Sequence, residues 1–477
     1  MASNVVFPPG EKVGLIGPLT LPQVIGVAVA VAGFVAGAML DAVIGWSVGA
    51  GVVLAVTFTP WRGRPLRLVV LHQLGWLRRR DREWSAPLRG GAVPAPCFRN
   101  VTYHLVAGDA GEPIGVVEAR GGMFSVVFEV DSSSTVLMSS SEQDARFNAW
   151  GEVLAGLCVE RGTVLTAERV AWTDIHQASD PAGLVRQHQR DGVDGPATAD
   201  YSDYVSKFGS VAAAHRVLVT ATISRGARYR LAKQQGFTGK PVEVMKQAAA
   251  AVGRDLSDEL ERQGFRCGPL LSPAEVARAV LDAIDPFAMR PDGLSARERF
   301  GLPTRTGPDQ ITLERHMVAI DGACHRVFAV RWPRTPVDAA WMHLPLQVDG
   351  PKVMTTVYAG VAPSVADTRR EALTNRSESN NQVTAGRKGR VRTRDKQKSS
   401  ALLAAEEAVA GGHQELDGYS LVVVSGRSVD ELNQRSARLR QAMRQAGRGE
   451  VREMTAHHDH ALVAALPLGI WIRETVE

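Results

Sequence analysis

A single charged residue, Asp41, lies between Val24 and Thr59. So long an apolar run restricts what the chain can do with it: the run is either the centre of a large core or a segment laid in lipid. It divides at Asp41 and Ala42 into 24–40 and 43–59, each of about 17 residues, the short end of what crosses a hydrocarbon core as a helix. Small residues recur on both pieces, among them Gly26, Ala30, Gly33, Gly37, Gly45 and Gly49, and small residues let two helices approach closely in lipid. The pattern predicts a two-helix transmembrane hairpin turning at Asp41. A cleaved signal peptide fits poorly, because no basic stretch precedes the run. Burial within a globular core would ask the rest of the chain to cover it, against the pattern that the rest displays.

Arginines dominate the exit from the second apolar piece: Arg62, Arg64, Arg67, Arg78, Arg79, Arg80 and Arg82. A basic flank marks the cytoplasmic side of a span, so both termini are expected in the cytoplasm, with the protein in the inner membrane. Residues 66–80 read as an amphipathic helix on the membrane surface, with Trp76 near the interface. Mean hydropathy of −0.07 excludes a polytopic transporter, and 45% apolar with 22% charged residues fits a chain that buries real cores. The four cysteines, Cys97, Cys158, Cys267 and Cys324, form no C-x-x-C pair and read as buried thiols in a reducing compartment.

Beyond a proline-rich linker at 86–96 the period changes to α+β. Strand patterns occur at 101–107, 112–119 and 122–130, with Gly121 and Gly122 as a turn. A helix is predicted over 142–160, started by Ser141 with Asp144 three residues on. Strands at 163–172 and 216–223 and helices at 241–263 and 272–284 close this half. After a proline- and glycine-rich boundary at 285–308 the plan recurs: strands at 316–320 and 325–332 meeting at Asp321 and Gly322, a short helix after Pro336, strands at 353–361 and 419–425, and helices at 429–445 and 456–466. The expected organisation is therefore residues 1–90 as tail, hairpin and juxtamembrane helix, then 91–290 and 291–477 as two cytoplasmic ββα-type units.

Several segments resemble a known family. The hairpin and basic exit at 20–82, then DTRREALTNRSESN (367–380), GYSLVVVSG (418–426), VDELNQRSARLRQAM (429–443) and ALPLGIWI (465–472) are similar to actinobacterial conjugation-linked membrane proteins. In these a PrgI-type two-helix anchor precedes a region resembling the N-terminal, non-catalytic domain of type IV secretion ATPases. The resemblance implies a scaffold or adaptor, oligomeric within a complex, that seats a separate ATPase beside other membrane subunits. No GxxxxGK[ST] occurs; GFTGKP (236–241) has the wrong spacing and a proline where the metal-binding hydroxyl belongs. An EccE-like component of type VII secretion and a membrane-tethered nucleic-acid-binding protein are the alternatives.

Candidate sites are few. Arg387, Lys388, Arg390, Arg392, Arg394, Lys396 and Lys398, in the arm 385–400, are dense enough to hold phosphates or an acidic partner. No aromatic residue is interleaved for base stacking. His457, His458, Asp459 and His460 read as a polar helix face rather than a metal centre. No nucleophile with a plausible base is found, so neither catalysis nor a cofactor is expected, and Ser428 reads as a helix cap.

Overall fold

The computed structural model describes residues 4–5, 27–33, 35–36, 49–54, 60–61, 64–65, 83–85, 96–108, 111–119, 122–131, 139–159, 163–177, 215–287, 308, 310–331, 337–338, 345, 348–372, 374–375, 400, 403, 407, 414–446 and 450–472. The chain divides into two compact units, one of residues 1–7, 82–366 and 408–477, the other of 8–81 and 367–407.

Alternation of apolar and polar residues after position 100 becomes an antiparallel meander of β2 (Thr102–Ala107), β3 (Pro113–Ala119) and β4 (Met123–Val130). Helix α1 (Ser140–Ala155) follows, its cap two residues upstream of the expected one. Ser139 Oγ accepts from Glu142 N while the Glu142 carboxylate accepts from Ser139 N, a closed capping box. Then come β5 (Arg169–His176), β6 (His215–Ser224), α2 (Arg225–Gln234), α3 (Pro241–Arg262), β7 (Cys267–Leu270) and α4 (Pro273–Ile284). Pro241 at the first position of α3 and the Ser272–Glu275 capping box of α4 start these helices where the sequence reading places them.

The second half comprises β8 (Gln310–Leu313), β9 (Val318–Ile320), β10 (Ala323–Arg331), β11 (Lys352–Gly360), β12 (Leu416–Gly426), α5 (Val429–Gln445), β13 (Glu450–Glu453) and α6 (His458–Ala465). At the β9–β10 turn Asp321 (φ 44°) and Gly322 (φ 90°) both adopt positive φ, the requirement of a two-residue hairpin loop that matches strand twist. In place of the helix expected after Pro336, Val337–Asp338 pairs with Asn4–Val5.

With β1 (Glu83–Ser85), thirteen strands form one antiparallel sheet in the order β1-β8-β9-β10-β12-β11-β5-β6-β4-β3-β2, β7 adding to β4 and β13 to β10. The two halves correspond strand for strand in sheet order and register. Val117 lies opposite Ser125 as Val318 lies opposite His325. Ser125 lies opposite Thr222 as His325 lies opposite Ser425. Cys267 meets Val130 as Val451 meets Val330. The series α3-β7-α4 recurs as α5-β13-α6. The halves join through β5 and β11, whose antiparallel register puts Thr173 opposite Thr355, so an approximate two-fold axis passes between these residues.

Helices cover both faces. On one, Val244, Met245, Ala248 and Leu260 of α3 bury Phe124, Phe128, Val219 and Ile223, while Leu432, Leu439 and Met443 of α5 bury Phe328, Val422 and Val424. On the other lie α4, against β2 and β3, and α6, against β10, β11 and β12. Gly115 sets the approach of α4: its N–H donates to Leu271 O at 2.8 Å, and a Cβ there would stand 2.7 Å from Pro273 N.

Two expectations are corrected. The first is the transmembrane hairpin at 24–40 and 43–59, of which the described residues 27–33, 35–36 and 49–54 are helical. Among the described residues no helix is long and apolar enough to cross a membrane; with the spans goes the basis for inner-membrane placement and for the topology with both termini cytoplasmic. The physical reason is that an absence of charge measures hydropathy and not helix length. The second correction concerns the two separate ββα units. The repeating element is larger, five strands side by side in the sheet with a later helix-strand-helix series, and both copies belong to one sheet.

Substituting Gly115→Ala should lower stability by about 1–3 kcal/mol, because the clash is with backbone that cannot swing away. Gly151→Ala in α1, where a Cβ meets nothing within 4 Å, should be neutral or stabilising by about 0.5–1 kcal/mol. Urea midpoints of the two variants against the parent chain measure both.

Candidate functional site

The antiparallel register gathers ionisable side chains from distant positions into three clusters. The first lies at one end of the central strands. His176 on β5 stands opposite Lys352 on β11 and opposite His215 on β6, with the two imidazole centroids 5.3 Å apart. Asp174, two residues along β5, places Oδ2 3.2 Å from His176 Nε2. The angle does not make this a hydrogen bond: Asp174 Oδ1 and His176 Nε2 are both buried without a hydrogen-bond partner. Lys352 is 6% exposed and donates from Nζ to Val348 O at 2.7 Å. Burial pushes its ammonium down to about 8, against the pull of the Asp174 and Asp349 carboxylates. A carboxylate, two imidazoles and a weakened ammonium in one row form the best-equipped cluster among the described residues for exchanging protons or holding a polar group.

The second cluster couples the halves. His325 on β10 is fully buried; its Nε2–H donates to Ile284 O at the end of α4, 2.8 Å away, and its Nδ1 accepts from the Ser425 hydroxyl at 2.9 Å. A carbonyl can only accept, so this tautomer follows. Burial drives the imidazole down to about 4, keeping it neutral. Serine and histidine here have the connectivity of a nucleophile and base, but a carbonyl stands where the orienting carboxylate would be, and Ser425 is 1% exposed. The pair is a clamp holding α4 of the first repeat on the sheet of the second.

The third cluster centres on Glu453 of β13, which accepts from His316 Nδ1 at 2.8 Å and from Arg440 at 2.7 Å. Burial alone would raise this carboxyl; the His458 and His316 imidazoles and the Arg326 guanidinium carry it down to about 2. His458 is wholly buried and its Nδ1 accepts the Val327 N–H at 3.1 Å. That contact fixes the tautomer and joins α6 to β10.

The sequence candidates fall differently. Arg387, Lys388, Arg390, Arg392, Arg394, Lys396 and Lys398 lie outside the described residues, as do Arg62, Arg67, Trp76, Arg78, Arg79 and Arg80. Arg64 lies in a two-residue strand paired with Pro60–Trp61. Within the histidine run, His458 turns into the core while His460 is half exposed, 3.9 Å from Asp459. Among the described residues no group of three or more His, Cys, Asp or Glu could hold a metal ion. Ser428 Oγ caps α5 by accepting from Glu431 N. Sequence reasoning missed the row of Asp174, His176, His215 and Lys352. Its one signal is Asp-Ile-His in a strand otherwise built for burial.

Two pH dependences follow. His325 carries about 6.5 unfolded and about 4 folded, so between these values the unfolded chain binds the extra proton and stability falls as pH is lowered, by on the order of 3 kcal/mol at most. His325→Asn should flatten that slope in thermal melts from pH 7 to 4. Lys352 is lowered from 10.5 to about 8, so stability should rise with pH across that window. Lys352→Met should abolish the rise; a slope unchanged in this variant would assign it to other groups.

Comparison with known proteins adds no relative: no family model matches the chain, and no curated protein does.

Proposed function

We propose that the chain is a non-catalytic scaffold or adaptor of a conjugative, type IV-like secretion system, seating a separate ATPase. The observation that carries this reading is the duplication. Two copies of one unit share a sheet, and several buried polar side chains tie helix ends and the closing segment to it: His325 to the α4 terminus, Thr355 Oγ1 to Ala465 O, and Tyr419 Oη to Ile470 O at 3.1 Å. Such bonds hold a rigid framework in place.

The segments that resemble the non-catalytic domain of the secretion ATPases support it as well. Residues 418–426 lie within β12, at the heart of the second repeat, 429–443 lie within α5, packed on that strand, and 465–472 run onward from α6 against Ser125, Thr222 and Tyr419. The basic arm 385–400 then meets an acidic or phosphate-bearing face of the same assembly.

Affinity purification of the full chain from cells that express the whole transfer apparatus is expected to recover a P-loop ATPase, with no nucleotide hydrolysis by the chain alone. Purification that repeatedly returns other transfer proteins but no such ATPase removes this assignment.

A further inference from the structure

The sheet ends differently at its two edges. At one, β1 is three residues long and begins with Glu83. A short, charged edge strand is a common way to keep a sheet from adding further strands. The other edge is β2, and it carries none of these safeguards. Its six residues, TYHLVA, include no proline, lysine or glycine, and they pair with β3 in unbroken register from Thr102 opposite Glu118 to Ala107 opposite Pro113, with no bulge. Among the described residues no strand lies beyond it. Leu105 is 55% exposed on this edge.

The internal repeat shows what such an edge accepts. In the second half the first strand of the meander is β8, and it takes a further antiparallel strand, β1, with Trp84 opposite Ile311. The corresponding strand of the first half is β2, whose outer side has no such cover among the described residues. Composition then selects the occupant. The one side chain on β2 able to carry charge near neutral pH is His104, already tied to Glu118 at 2.8 Å, so pairing β2 with itself opposes no like charges. Centred on Leu105, the antiparallel pair sets Leu105 against its own copy and Tyr103 against Ala107. A two-fold axis generates that arrangement directly, and it continues a sheet whose strand pairs are antiparallel throughout.

We infer that β2 is a self-association edge, through which two copies of this chain join into one continuous sheet. The inference depends on the edge and the repeat, independently of the scaffold reading.

Light scattering on the size-fractionated full chain, over a concentration series, tests it. The expected mass is twice 51.3 kDa, falling by half in Leu105→Lys, which sets two ammonium groups against each other across the axis. Should Leu105→Lys fail to fold, Leu105→Cys serves instead: mild oxidation should link it into a dimer, under conditions that leave the parent chain unlinked. Hydrogen exchange should show the 102–107 amides protected in the dimer and not in the Leu105→Lys monomer. A parent chain that stays at the mass of one copy overturns the proposal, as does a dimer that persists unchanged in a natively folded Leu105→Lys. Protection of these amides only on addition of a different protein overturns the choice of a second copy as the occupant.

Discussion

Everything in the larger unit hangs on the pairing of β5 with β11. These strands carry few charges, are buried or half-buried throughout, and belong to different repeats. Their register, with Thr355 Oγ1 3.2 Å from Thr173 Oγ1, turns two half-sheets into one. It also decides which residues become neighbours. Lys352 meets His176 only in this register, and a slip by one residue would turn Asp174 and His176 to the opposite face. A strand pair that sets position this strictly explains why an ammonium is tolerated there despite the cost of its burial.

The halves also exchange their ends. The α4 terminus of the first repeat sits on His325 and Ser425 of the second, and Arg427 of the second stacks over Phe287, which follows α4, at 5.1 Å. Reciprocally, the segment after α6 places Gly469 against Ser125 and Thr222, and Arg169 stacks over Trp471 at 4.8 Å. Each half thus supplies part of the other's cover, which is why the buried polar side chains resemble a catalytic inventory and act as fasteners.

Local signals were strong wherever the structure is local. Asp321-Gly322 announced its hairpin, and the helices expected at 241–263 and 272–284 stand as α3 and α4. Non-local relations were not readable. Nothing in Thr173 or Thr355 states that they face each other from opposite halves, since strand pairing is set by burial and register across long stretches of chain. The apolar run at 24–59 shows the opposite limit: lack of charge is a strong local signal, yet it fixes neither the length of a helix nor its environment. The clamp at His325 needed the fold, because its acceptor is a backbone carbonyl that no side-chain motif encodes.

Exchange of ends has a consequence for synthesis on the ribosome. The first repeat is made first, yet the sheet surface around Ser125 and Thr222 is covered by Gly469, which follows the whole of the second repeat. Until that segment exists, this face of the first half-sheet lacks its cover, so the first repeat completes its folding only together with the second.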